Sequence, residues 1–116
     1  FTVTQSGTAP SFTNTGAMPL SAGRTFTVTG GSLDLTSGTL TGDDATLSLA
    51  NVALSITPAT ARTRFDFNTG TTLAGPYTIP AGDSLRVLGG TLTTSGLTVN
   101  GRLVFLGSAT VAAPVT

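Results

Sequence analysis

The chain contains no lysine, glutamate, histidine, cysteine or tryptophan, and charged residues make up only 9% of its 116 positions. Without cysteine there is no disulfide framework and no thiolate metal site. Without histidine, cysteine, lysine or glutamate, proton transfer near neutral pH falls to Asp34, Asp43, Asp44, Asp66 and Asp83 alone. A serine or threonine nucleophile needs a neighbouring base, and the chain has no Gly-x-Ser-x-Gly elbow. The expectation is therefore a non-enzymatic protein that uses no cofactor and no metal. Five arginines, Arg24, Arg62, Arg64, Arg86 and Arg102, balance the five aspartates. They are spread too thinly to track a phosphate backbone or an anionic bilayer, so neither nucleic acid nor a membrane surface is expected as a partner. No apolar run approaches the length of a spanning helix, and no basic-then-apolar targeting segment opens the chain.

What the chain has instead is threonine and serine alternating with valine, leucine, isoleucine and phenylalanine. That period of two belongs to half-buried strands, and no segment carries a helical stripe. Strands are expected at 1–4, 25–29, 32–35, 46–49, 52–56, 63–67, 77–79, 84–88, 97–99 and 102–106, within one domain spanning 1–116. Between them stand turn signals such as Gly30-Gly31, Gly75-Pro76, Gly89-Gly90 and Asn100-Gly101.

The chain also repeats itself. Ala22, Gly23, Val28, Gly30, Gly31, Leu33 and Gly42 recur at a constant offset in residue number as Ala81, Gly82, Val87, Gly89, Gly90, Leu92 and Gly101, with one compensated slip near Gly38 and Gly96. A degenerate repeat of short alternating strands predicts an all-β fold made of stacked rungs, a β-solenoid or β-helix. A β-sandwich or jelly-roll of two related halves is the alternative, because the same strand lengths and turn spacing fit it.

The segment from Ile79 through Gly82-Asp83-Ser84-Leu85-Arg86-Val87-Leu88-Gly89-Gly90 to Arg102-Leu103-Val104-Phe105 resembles the short-rung β-helix segments of bacteriophage head-decoration and fibre proteins. It is also similar to repeats of secreted bacterial adhesins. The resemblance implies a β-helical fold in a self-assembling external protein and carries over no functional site. Residues 58–75 depart from the rung pattern and hold the densest charge.

Within that charged segment, Arg62, Arg64, Asp66 and Asn68 alternate with Thr63, Phe65, Phe67 and Thr69, which puts four polar side chains on one face of an extended strand. As a solvated face, this stripe would hold a weak local pair between Arg64 and Asp66. As a contact between subunits, it would use the rigid arginine fork to meet carboxylates or carbonyls of a neighbour. The apolar ends, with Phe1 and Val3 at one and Val111 and Val115 at the other, are candidates for pairing with the sheet edge of another subunit. Gly42-Asp43-Asp44 reads as a solvated turn, since a calcium loop spaces its acidic ligands at alternate positions. The Thr-x-Thr segments at 25–29, 39–41 and 91–93 resemble pieces of an ice-binding hydroxyl ladder but lack its constant period.

So low a charge fraction favours association, so the expected partners are copies of the chain itself, as a trimer or polymer, and a shell subunit such as a major capsid protein. The expected function is a capsid decoration (cement) or head-fibre subunit on a virion surface. The alternatives are an extracellular pilus or adhesin subunit that polymerises by strand exchange at the cell surface, and a carbohydrate-binding or ice-binding β-solenoid.

Overall fold

The computed structural model describes residues 2–41, 44–56 and 64–116. Its strands are all short, and the first, second, fourth and fifth rungs each place one on all three sides of the stack in turn. The first rung holds β1 (Thr2–Thr4), β2 (Ser11–Thr13) and β3 (Ala17–Pro19), and the second β4 (Thr25–Thr29), β5 (Ser32–Asp34) and β6 (Thr39–Thr41). The third supplies β7 (Thr46–Ala50) and β8 (Ala53–Ser55). The fourth holds β9 (Arg64–Phe67), β10 (Thr72–Leu73) and β11 (Tyr77–Ile79), and the fifth β12 (Ser84–Val87), β13 (Thr91–Thr93) and β14 (Leu97–Val99). The last rung holds β15 (Arg102–Phe105) and β16 (Thr110–Ala112), and Val115 bridges to Leu97 beyond it.

Every pairing is parallel. The first side is the six-stranded sheet β1-β4-β7-β9-β12-β15, the second is β2-β5-β8-β10-β13-β16, and the third carries the pairs β3-β6 and β11-β14. The chain is thus a β-solenoid of about five turns. The internal repeat now has a physical meaning. Thr25 pairs with Thr46, Thr46 with Arg64 and Arg64 with Ser84, so the chain passes through three full turns between Thr25 and Ser84. Residues related by the repeat lie on the same side of the solenoid, three rungs apart.

Alternation selects what faces inward. Val3, Val28, Leu49, Phe67, Val87 and Phe105 form one inner column of the first sheet. Phe26, Leu47, Phe65, Leu85 and Leu103 form a second beside it. The opposing sheet contributes Phe12, Leu33 and Leu54, and Leu73 beyond them. The middle members of these columns are completely buried, and each fully buried leucine or phenylalanine contributes about 2 kcal/mol of transfer free energy. Parallel sheets ordinarily read as unbroken apolar runs because helices cover both faces. This one alternates because the opposing sheets of the coil cover only its inner face, leaving hydroxyls to meet water outside.

Two threonines break the apolar interior. Thr72 pairs with Ala53 on one side and with Thr93 on the other, a register that brings Thr71 and Thr94 inside. The Thr71 hydroxyl donates to the Leu49 carbonyl at 3.2 Å and that of Thr94 to the Gly75 carbonyl at 2.8 Å, which offsets the cost of burying them.

The corner between the first and second sides passes through left-handed backbone. Gly31 has φ of 65° and its repeat partner Gly90 67°, and a Cβ on Gly31 would collide with the Pro10 carbonyl of the rung below. Asn51, in register with Gly30 (φ of 80°), supplies the left-handed residue of the third rung's corner with φ of 55°, a conformation asparagine tolerates better than most residues.

The solenoid is therefore present and the sandwich is not. The departure expected over 58–75 ends by Arg64, because β9 and β10 sit in register with the rungs on both sides; residues 57–63 lie outside the described residues.

Candidate functional site

The polar stripe lies on the outer face of the first sheet, where Arg64, Asp66 and Asn68 point away from Phe65 and Phe67, both fully buried. Arg62 lies outside the described residues. Asp66 is 7% exposed and is held by the next rung rather than by its own strand. Arg86 Nε donates to Asp66 Oδ1 at 2.7 Å and Nη2 to Oδ2 at 2.6 Å, the two-pronged geometry of a guanidinium on a carboxylate. This follows from register, since Asp66 and Arg86 are direct neighbours on β9 and β12. The hydrogen bond to Asp66 holds the Arg86 guanidinium above its ordinary value, with burial opposing it and the charge of the carboxylate adding to it. Asn68 reaches down the stack, donating through Nδ2 to the Leu49 carbonyl at 3.2 Å and to Ser48 Oγ at 3.4 Å. Two members of the stripe thus have partners inside the chain, on the rungs above and below.

Arg64 is different. It is exposed and stands in an outward column that runs in register from Thr25 and Thr46 through Arg64 and Ser84 to Arg102. Among the described residues, neither Arg64 nor Arg102 is ion-paired. An open groove of about 490 Å³ runs beside this column at the corner that leads into the first sheet. Asp44, Asn100, the buried Asp83 and the backbone of Gly82 and Gly101 line it together with Ser84 and the two arginines. Asp44 itself occupies left-handed backbone, with φ of 57°, and its carbonyl accepts the Gly23 N–H at 3.1 Å. Gly42 and Asp43 lie outside the described residues, as does Phe1.

The apolar ends fall on the outermost rungs. Val3 is half-buried and pairs with Val28, and Val111 is half-buried and pairs with Leu92. Val115, Phe105 and Leu106 are 47%, 46% and 42% exposed, the large apolar side chains most open to solvent among the described residues. β1 and β15 are the edge strands of the first sheet.

The three Thr-x-Thr segments fall on three different sides, in β4, β13 and β6, so they do not build one ladder. A different hydroxyl patch forms where Thr2 and Thr4 pair with Thr27 and Thr29, and Thr25 with Thr46. Elsewhere single hydroxyl pairs cross between rungs, Thr91 with Thr110 at 2.8 Å and Thr98 with Thr116 at 3.2 Å. Asp34 Oδ1 accepts from the Thr36 hydroxyl at 2.6 Å and from its N–H at 2.9 Å, and these bonds hold the Asp34 carboxyl below its ordinary range. No group of three or more acidic residues placed to hold a metal ion gathers among the described residues.

Sequence reasoning missed the Arg86 partner of Asp66 and the union of Arg64 with Ser84 and Arg102. Both depend on rung length, which changes from one turn to the next. Comparison of the chain with models of known protein families, with curated proteins and with solved structures gives no match.

Proposed function

We propose that this β-solenoid is a non-enzymatic structural module of an external assembly, in the finer reading a capsid decoration or head-fibre subunit on a phage virion. Its partners in that reading are copies of itself and a shell subunit. The observation that carries the proposal is the apolar rim of the last rung, where Phe105, Leu106 and Val115 stand about half exposed on a chain with only 9% charged residues. Large apolar side chains left open on an end rung favour protein contact, and β1 and β15, at the two ends of the first sheet, offer unpaired backbone. Those edges also support the second reading, an extracellular adhesin or pilus subunit that polymerises by strand addition.

Light scattering of the purified protein, alone and mixed with emptied phage shells, tests the proposal. A stable oligomer or shell-bound protein is expected, with Leu106→Ser/Val115→Ser shifting the equilibrium toward free monomer. A protein that stays monomeric at high concentration and binds no shell contradicts it.

A further inference from the structure

We infer that the corner groove beside Arg64, Ser84 and Arg102 is a binding site for an acidic saccharide, a sugar bearing a carboxylate or sulfate. The inference uses none of the apolar side chains on which the assembly proposal rests, although Arg102 lies on the same edge strand, β15.

Three observations converge on it. First, Arg64, Ser84 and Arg102 are successive members of one outward column. Two rung steps of about 4.8 Å set the two arginine backbones about 10 Å apart, with a hydroxyl between them. Like charges stacked on one face of a sheet are unfavourable. The chain pairs Arg86 with Asp66 on the same two strands, yet among the described residues it leaves both Arg64 and Arg102 without an ion pair. An oxyanion seated between them would meet two planar forks suited to carboxylate or sulfate oxygens; Asp44 and Asp83 on the same groove leave its described lining without net positive charge, so the forks and not the overall field would hold the anion.

Second, the groove is the right size and polarity for a sugar ring. Its volume of about 490 Å³ lies within the usual span for small-ligand sites. None of the described side chains that line it is apolar. A peptide segment would find no apolar anchor there, whereas ring hydroxyls would find Asp44 as an acceptor and Asn100 and Ser84 as donors and acceptors.

Third, the backbone is open to close approach. Gly82 and Gly101 form part of the wall, so two of its positions carry no side chain. The site is exposed, so attraction to the anion is screened by salt.

Titration calorimetry of the whole protein with short oligogalacturonates, sulfated dextran oligomers and neutral dextran oligomers tests the site at low salt. At least one anionic series is expected to bind while neutral dextran does not, and which of the two binds identifies the oxyanion. Affinity should fall as salt is raised. Arg64→Gln/Arg102→Gln should weaken binding about tenfold or more, because each arginine contributes charge-assisted hydrogen bonds. Thr93→Gln, at an exposed position on the second side of the solenoid, should leave affinity within about twofold. Amide shifts of the unmodified protein provide a check that does not depend on the variants folding, and on titration they should move at Ser84 and Gly101. The inference is overturned by absence of binding to both anionic series, equal binding of neutral dextran, unchanged affinity in the double variant, or shifts that map elsewhere. Tighter binding of an aspartate-rich peptide than of either saccharide also overturns it, making the groove a peptide site.

Discussion

Removing the Arg86 guanidinium with Arg86→Ala leaves the Asp66 carboxylate, only 7% exposed, without the two charge-assisted hydrogen bonds that hold it at 2.6 and 2.7 Å. Breaking a fully buried pair from one side costs about 3–5 kcal/mol. The Arg86 side chain is 32% exposed, so water screens part of the interaction and replaces part of the loss, and about 2–3 kcal/mol is expected. Asp66→Asn retains a hydrogen-bonding group of the same shape and should cost about 1–2 kcal/mol. The double-mutant cycle isolates the pair and should return a coupling of about 1.5 kcal/mol. Urea unfolding at neutral pH, followed by far-ultraviolet circular dichroism with the slopes checked for constancy, supplies the free energies. If Arg86→Ala costs less than about 0.5 kcal/mol, or the coupling is indistinguishable from zero, the pair is a surface feature and the register that creates it has been misjudged.

Four further outcomes follow from the same geometry. Arg64→Ala should change stability by no more than about 0.5 kcal/mol, since the side chain is exposed, so any loss of assembly seen by light scattering in that variant reports a contact rather than a fold defect. Leu47→Ala, at the fully buried middle of an inner column, should cost about 3 kcal/mol in urea unfolding, whereas Val115→Ala at the open rim should cost under about 1 kcal/mol. Gly90→Ala should cost about 1–2 kcal/mol by the same assay, because φ is 67° and the new Cβ would meet Thr69 Cγ2 at 3.2 Å. The Asp34 carboxyl is lowered by its bonds from Thr36, so whatever it contributes to stability is present above its unfolded value and fades as pH falls through the folded one. Thr36→Val should move the Asp34 titration upward when followed by carbon NMR, and an unmoved titration would contradict the assigned cause.

The sequence made the class of fold legible because period two and the internal repeat survive without knowledge of the partner strands. Each expected strand corresponds to an observed one. Those that went unseen, β2, β3, β6, β10, β13 and β16, have two or three residues, and most carry a single apolar side chain, so alternation has nothing to repeat within them. The number of turns within the repeat was also hidden. The rungs differ in length, so only every third one returns in a form similar enough to align. The same irregularity concealed the candidate site. Asp66 finds Arg86 one turn further on, and Ser84 finds Arg102 after a shorter turn, so no fixed spacing in the chain announces either neighbour. The local pair expected between Arg64 and Asp66 gave way to one between rungs because direct neighbours in adjacent parallel strands stand closer than alternate residues along one strand.

Stacking of parallel rungs in register is tested most directly by pulsed spin-label distances along one outward column of the first sheet. With no native cysteine to interfere, labels can be placed at Thr2→Cys with Val104→Cys, and at Thr27→Cys with Val104→Cys. Thr2, Thr27, Ser48, Asp66, Arg86 and Val104 are successive partners, so the first pair spans five rung steps and the second four. The solenoid predicts single narrow distributions at about 24 Å and about 19 Å respectively, so that moving the label by a full turn of sequence shortens the distance by only about one rung. Distances that differ by much more than about 5 Å, or that increase on moving from Thr2 to Thr27, would contradict it.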